Sequence, residues 1–406
     1  MSNASIFSEH IHYHESTGSL CVSGIAAEDV AAEHGTPTYL YSLDQILANF
    51  RTIRTAYAAH HPHVTIHFSL KANANFTIVK ALVKEGCGID CVSAGEVYKA
   101  LACGCDPDHV VFAGVGKSKE ELKFAVNHKV GWFNVENELE LHHLNALAES
   151  CDHRIRVALR LNPDVQAHTH PSIATGHGGA KFGLPIEVAR GILERHSVDF
   201  PHLDFAGVHL HIGSQLGDTV QTKTALAIGL ELVKPFSSVK HINIGGGMPV
   251  TYDDTVYPAP EDFAAMVCPM LSNYEVMLEP GRSIVGSGGM LLTRVLYRKD
   301  QAGQKILIVD ASMTDLMRPA LYQAKHTVLP LTKAVDGEPH DIFNIVGPVC
   351  ETTDVLARNV SLPSRCGHPD ALLVLMTAGA YGFSMANNYN AHPLPPQIVA
   401  HGGVSM

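Results

Sequence analysis

Between residues 35 and 281, short apolar runs alternate with amphipathic stretches so regularly that few folds can accommodate the chain. Runs at 65–70, 88–92, 109–113, 131–135, 154–161, 205–211, 240–244 and 275–278 read as eight strands. The stretches between them carry helix start signals. Ser118 with Glu121 forms a capping box, and Ser93 is placed to cap 94–102. Strands joined by helices pair in parallel, because each crossover needs a dozen or more residues. Eight such units match a closed (β/α)8 TIM-type barrel, with an open doubly wound sheet as the competing arrangement.

Beyond residue 281 the pattern changes. Strand-like runs at 291–297, 305–309, 342–346 and 372–376 are separated by turns with few long helical stretches, which predicts an antiparallel β domain, a sandwich or barrel. Residues 1–34, with the short run 20–25, resemble this tail more than the barrel. The expected organisation is therefore a barrel over 35–281 and a β domain made of 1–34 and 282–406, with an N-terminal strand pairing into the C-terminal sheet. A chain of 406 residues is longer than one typical core needs, which agrees with two domains.

The net charge of -11 argues against nucleic acid or an anionic membrane as partner, since such surfaces are met by basic patches. No apolar stretch approaches membrane-spanning length, and the first 14 residues lack the basic and apolar regions of a secretory signal, so a cytoplasmic location is expected. Nine cysteines, an odd number without zinc-knuckle spacing, read as reduced thiols. The 26 histidines lie singly or in mixed loops, and no metal site is expected from their spacing.

In a barrel of this type the active site lies at the C-terminal ends of the strands. Polar residues recur at those ends here: Lys71, Asp90 and Ser93, Arg160 and Asn162, His209 and His211, Gly245, and Glu279. Lys71 closes an otherwise buried run, where a partly desolvated amine can condense with an aldehyde cofactor, although a structural salt bridge would explain it equally. The triplet Gly245-Gly246-Gly247 lets backbone N–H groups approach an anion, phosphate being the natural candidate. Alone, the triplet is also consistent with a tight turn.

Five runs together are specific: Lys71-Ala72-Asn73-Ala74-Asn75, 90–96 (Asp-Cys-Val-Ser-Ala-Gly-Glu), His211-Ile212-Gly213-Ser214-Gln215, Gly245-Gly246-Gly247 and Glu279-Pro280-Gly281-Arg282. They resemble the pyridoxal-phosphate decarboxylases with an alanine-racemase-like barrel. Within that family, the stretches 169–183, 317–322, 347–351 and 379–382 are most similar to those of the diaminopimelate decarboxylases. The resemblance implies a carboxy-lyase of lysine biosynthesis that takes meso-2,6-diaminopimelate to L-lysine, with pyridoxal 5'-phosphate as cofactor. It implies Lys71 as covalent anchor, His211 stacked on the ring and Glu279 at the pyridine nitrogen. Asp90, Ser214, Gly245, Gly246, Gly247, Gly281, Arg282 and Tyr381 would complete the cofactor site. Substrate contacts would come from Arg282, Arg318, Tyr322, Glu351 and Tyr381. Cys350 would be the acid that protonates the product carbon, and it would serve the neighbouring subunit of a homodimer together with Glu351.

Three alternatives share this core. A same-family decarboxylase could act on another amino acid, such as D-lysine, D-ornithine, or a siderophore or antibiotic precursor. A non-catalytic cofactor-binding protein would need only the barrel, and residues 282–406 weigh against it. A racemase on the same barrel is expected to present a tyrosine where this chain offers Cys350.

Overall fold

The computed structural model describes residues 6–151, 154–165, 179, 181–253 and 255–406, which form two compact units. One comprises 50–249 and 257–281, and the other comprises 1–49, 250–256 and 282–406. Thr169, His170 and Pro171, in one of the stretches that carried the resemblance, lie outside the described residues.

The first unit is the closed barrel. Its strands are Val64–Ser69, Gly88–Cys91, Val110–Phe112, Trp132–Val135, Ile155–Asn162, Leu203–Leu210, His241–Asn243 and Glu275–Leu278. Each pairs in parallel with the next, and the eighth returns to the first, so no edge is left open. All eight coincide with the runs read from the sequence, because strands buried on both faces leave near-continuous apolar stretches. The helix signals hold as well. Ser118 and Glu121 form a reciprocal capping box, and Ser93 Oγ accepts from the Glu96 N–H at 3.2 Å.

The first strand ends at Ser69, and Leu70-Lys71-Ala72 forms a single 3-10 turn. The asparagines that follow are structural. Asn73 Oδ1 accepts from the Asn75 N–H at 3.0 Å, and Asn75 Oδ1 caps the helix Phe76–Lys84 by accepting from Thr77 and Ile78. This local bonding fixes where the turn carrying Lys71 ends.

The second unit is built on the long strand Gly289–Gln301, which pairs antiparallel with Thr38–Ser42, Leu372–Leu375 and Gln304–Val309. The sheet is not wholly antiparallel: Gln397–His401 runs parallel to Thr38–Ser42, and His340–Val346 runs parallel to Gln304–Val309. An N-terminal strand does join this sheet, but it is Thr38–Ser42. The run 20–25 instead forms a small three-stranded sheet with Ile11–Tyr13, linked to the larger one by a bridge between Ser19 and Thr332. The division between the units thus falls after residue 49, later than the position read at residue 35. All five residues of Thr38–Ser42 are buried, which in sequence looks like another barrel strand.

Leu40 lies opposite Met290 and the partly buried Ile398, in a buried cluster with Leu20, Leu292 and Val374. Leu40→Ala is expected to cost about 2–5 kcal/mol, seen as a lower urea midpoint. An unchanged midpoint would mean that this strand contributes little to the second core.

Candidate active site

The C-terminal ends of the barrel strands converge on Glu279, which directly follows the eighth strand and is buried. Asn134 from the fourth strand and Asn243 from the seventh both donate their side-chain N–H groups to Glu279 Oε1, at 2.8 and 2.6 Å. His209, from the sixth strand, places Nε2 3.0 Å from Glu279 Oε2. Burial alone would raise the pKa of this carboxyl. The interactions with His209, the charge of Lys71 and the Asn243 hydrogen bond outweigh burial and hold it well below the usual carboxylate range. Glu279 is therefore a permanent anion.

Asp90, at the end of the second strand, behaves in the opposite way. Burial and the neighbouring Glu279 raise its pKa, while Lys71 and Ser69 pull it down. Lys71 Nζ lies 3.6 Å from Asp90 Oδ2, and Ser69 Oγ donates to the same oxygen at 2.7 Å. The Lys71 side chain is 40% exposed, so its amine meets both the buried carboxyl and the open mouth of the barrel.

His211 is neutral. Its Nδ1 accepts the Gly246 N–H at 3.2 Å, and burial, followed by Arg160 and Lys71, drives its pKa well below that of an ordinary imidazole. Its ring lies parallel to that of His209, with centroids 6.4 Å apart.

The glycine triplet is demanded by the packing here. Gly245 has φ of +67°, and a Cβ on it would sit 2.5 Å from His211 Nδ1; a Cβ on Gly246 would overlap the carbonyl oxygen of Glu279. The triplet lies against the loop that contains Ser214, with the Leu216 N–H donating to the Gly247 carbonyl at 3.0 Å. Gly281 packs against Ser69 and Ala72, next to Lys71.

An outer set of buried ion pairs supports this mouth. Lys117 pairs with Glu140 at 2.7 Å and donates to the carbonyl of Asn134 at 2.8 Å. Arg160 pairs with Glu136 at 2.7 Å, and Glu136 also accepts from the Gly183 N–H at 3.0 Å.

In the second unit the structure gathers Arg282, Arg318, Tyr322 and Tyr381 with Tyr252 and His326. Arg282 donates to the Tyr252 hydroxyl at 2.6 Å and lies 4.9 Å from the Tyr381 ring centre. Arg318 stacks on Tyr252 at 4.5 Å and donates to His326 Nε2 at 2.8 Å. His326 is held neutral, its pKa pushed down to about 3 by burial and by Arg318. Tyr322 is close enough to act electrostatically on both arginines.

Cys350 and Glu351 are not part of this group. They are exposed, in a turn after the strand His340–Val346, where the Cys350 N–H donates to Asn390 Oδ1 at 2.9 Å. Of the nine cysteines, Cys350 alone is exposed. Cysteine is usually buried, so this exposure sets Cys350 apart.

Asn134 and Asn243 were missed in the sequence, as was the contact of His209 with Glu279. The signal was available, since each lies at or next to the end of a barrel strand, as Asp90 and Arg160 do. Among the described residues, no three His, Cys, Asp or Glu side chains come together in a metal-holding arrangement.

Residues 43–286 match the family described as pyridoxal-dependent decarboxylase, pyridoxal binding domain. The diaminopimelate decarboxylase of Aquifex aeolicus is 37% identical over 98% of this chain and 94% of that enzyme. That of Pseudomonas aeruginosa is 40% identical over 94% of this chain and 92% of its own length. The crystal structure of diaminopimelate decarboxylase from M. jannaschii, in co-complex with L-lysine, superposes with a TM-score of 0.90 at 33% identity, covering 98% of this chain and 94% of that one.

The barrel mouth fits pyridoxal phosphate. It offers an amine, a fixed anion, a flat neutral imidazole and a glycine turn whose space a side chain would fill. Gly246→Ala is expected to weaken pyridoxal phosphate binding by about tenfold or more, since the turn must move away from Glu279. Titration of the apoprotein checks this, with Gly116→Ala, where a methyl would meet nothing within 4 Å, as the neutral control.

Proposed function

The chain belongs to the pyridoxal-dependent decarboxylases, among the diaminopimelate decarboxylases, and from that premise we propose that it converts meso-2,6-diaminopimelate to L-lysine and carbon dioxide with pyridoxal 5'-phosphate as cofactor. The observation that carries this reading is Glu279, a buried carboxylate kept ionised at the barrel mouth beside Lys71. Such an anion is what holds a pyridine nitrogen protonated. When bound, the cofactor supplies an electron sink for the pair released as the carboxyl group leaves.

The residues of the chain divide the remaining work. Lys71 is the covalent anchor, with Asp90 beside its amine. His211, neutral and fixed by the Gly246 N–H, presents a flat face to the ring. Gly245, Gly246, Gly247, Ser214 and Tyr381 bind the phosphate, with Gly281 and Arg282 completing the cofactor site. Arg282, Arg318, Tyr322, Tyr381 and Glu351 recognise the end of the substrate that does not react, which carries a carboxylate and an ammonium; planar guanidinium groups suit the carboxylate. Cys350 delivers a proton to the α-carbon once carbon dioxide has left.

The exposure of the Cys350-Glu351 turn supports a homodimer in which this turn completes the partner's site. No helix among the described residues is long and apolar enough to cross a membrane. From its similarity to bacterial biosynthetic enzymes we place the enzyme in the cytoplasm.

The direct test is carbon dioxide release from meso-diaminopimelate, compared with lysine, ornithine and arginine enantiomers. Activity on diaminopimelate alone is expected. Release only from another amino acid would move the assignment to a same-family decarboxylase of different substrate. Borohydride should fix the cofactor onto Lys71.

Cys350→Ala is expected to bind the cofactor normally but to turn over roughly a hundredfold or more slowly. Unchanged turnover would remove Cys350 from the mechanism. Shared sites can be read by mixing two impaired variants, Lys71→Ala and Cys350→Ala, under conditions that exchange subunits. If the turn serves the partner, hybrid dimers regain one intact site and activity reappears. No recovery after verified exchange would place both residues in the site of a single subunit.

A further inference from the structure

The seventh barrel strand ends at Asn243, a fully buried residue with two polar groups that bind in different directions. Its Nδ2 donates to Glu279 Oε1 at 2.6 Å, and its Oδ1 accepts the N–H of Gly245 at 2.9 Å. The orientation of the amide is unambiguous, because a carboxylate oxygen can only accept and a backbone N–H can only donate. One side chain therefore joins the carboxylate at the ring end of the site to the first residue of the glycine turn.

The backbone reinforces this link. The Glu279 N–H donates to the Gly245 carbonyl at 2.7 Å, and Asn243 sits in register with His209 on one side and Met277 on the other. Asn134 makes the comparison informative. It donates to the same Glu279 oxygen at 2.8 Å, but among the described residues its Oδ1 has no hydrogen-bond partner, so it touches the carboxylate without touching the turn.

We propose that Asn243 is a positioning residue that sets the spacing between the two ends of the cofactor site by holding Glu279 and the Gly245 turn with a single amide. This rests on the pyridoxal-phosphate reading above. Its consequence is that binding of the phosphate and control of the ring nitrogen are coupled through one residue. Loss of the whole side chain disturbs both, loss of the N–H donor alone frees Glu279 while the acceptor still holds the turn, and loss of Asn134 disturbs only the second. Removing either N–H donor leaves Glu279 a stronger base, so the ring proton is held to higher pH.

The test uses apoprotein of the wild type, Asn243→Ala, Asn134→Ala and the near-isosteric Asn243→Asp. Each is titrated with pyridoxal phosphate and with pyridoxal, which lacks the phosphate, and the absorbance of the bound cofactor is then followed against pH. Both alanine variants should move the absorbance midpoint upward. Only Asn243→Ala should lower the preference for pyridoxal phosphate over pyridoxal, by about tenfold or more. Asn243→Asp keeps an acceptor for Gly245 but sets a second anion against Glu279. It should hold the preference near that of the wild type while still moving the midpoint, and it keeps the test open if the alanine variant does not fold.

The proposal is overturned if Asn243→Ala and Asn134→Ala change the preference equally. It also fails if Asn243→Asp loses the preference, or leaves the pH titration superimposable on that of the wild type. Failure of the wild type to bind pyridoxal phosphate would instead sink the functional reading on which the proposal rests.

Discussion

A charge buried at the mouth of the barrel governs the arrangement of everything around it. Taking a carboxylate out of water costs several kcal/mol even after relaxation, so Glu279 persists as an anion only because donors surround it. Asn134 and Asn243 bond one oxygen, and His209 approaches the other. These three residues come from three different strands, so the carboxylate can be held in this way only when the barrel is closed. Asp90 meets the same environment with fewer donors, and burial together with the Glu279 charge moves its pKa upward. Two carboxyl groups a short distance apart are thus driven in opposite directions, one a fixed anion and the other a group that adjusts to the amine beside it.

The outer ion pairs follow from the same constraint. Lys117 with Glu140, and Arg160 with Glu136, are buried pairs that hydrophobic residues could replace at little cost to stability. Their value lies in what else they bond. Lys117 holds the carbonyl of Asn134, and Glu136 holds the N–H of Gly183. Each pair fixes a strand end or a loop start, and so preserves the directions of the side chains that reach Glu279.

What could be read in the sequence and what could not divide along physical lines. The eight barrel strands and the capping box at Ser118 are local patterns, and the structure reproduces them. Thr38–Ser42 was not assigned to the second sheet because its partner Gly289–Gln301 lies some 250 residues away, and a strand buried on both faces carries no mark of which sheet it enters. Lys71, Asp90, His211 and Glu279 stood out as polar residues closing apolar runs. Asn134 and Asn243 close similar runs but are small and uncharged, so nothing in their neighbours shows that they point at a carboxylate 145 and 36 residues further along. Cys350 departs from the habit of its residue type. Cysteine is usually buried, yet beside Glu351 in a Gly-Pro turn this one is exposed.

The second unit raises a problem of its own charge. Arg282 and Arg318 are both buried, and the Arg318 pKa is lowered by burial first and then by Arg282. The tyrosines around them offset part of this cost, raising the pKa of Arg282 above its ordinary value despite burial. His326 is neutral, and Tyr252 offers a hydroxyl and a ring face. A carboxylate can accept planar hydrogen bonds from either guanidinium. In the site proposed above, discrimination for diaminopimelate over lysine rests on the distal carboxylate that these planar donors can bond and that lysine does not carry.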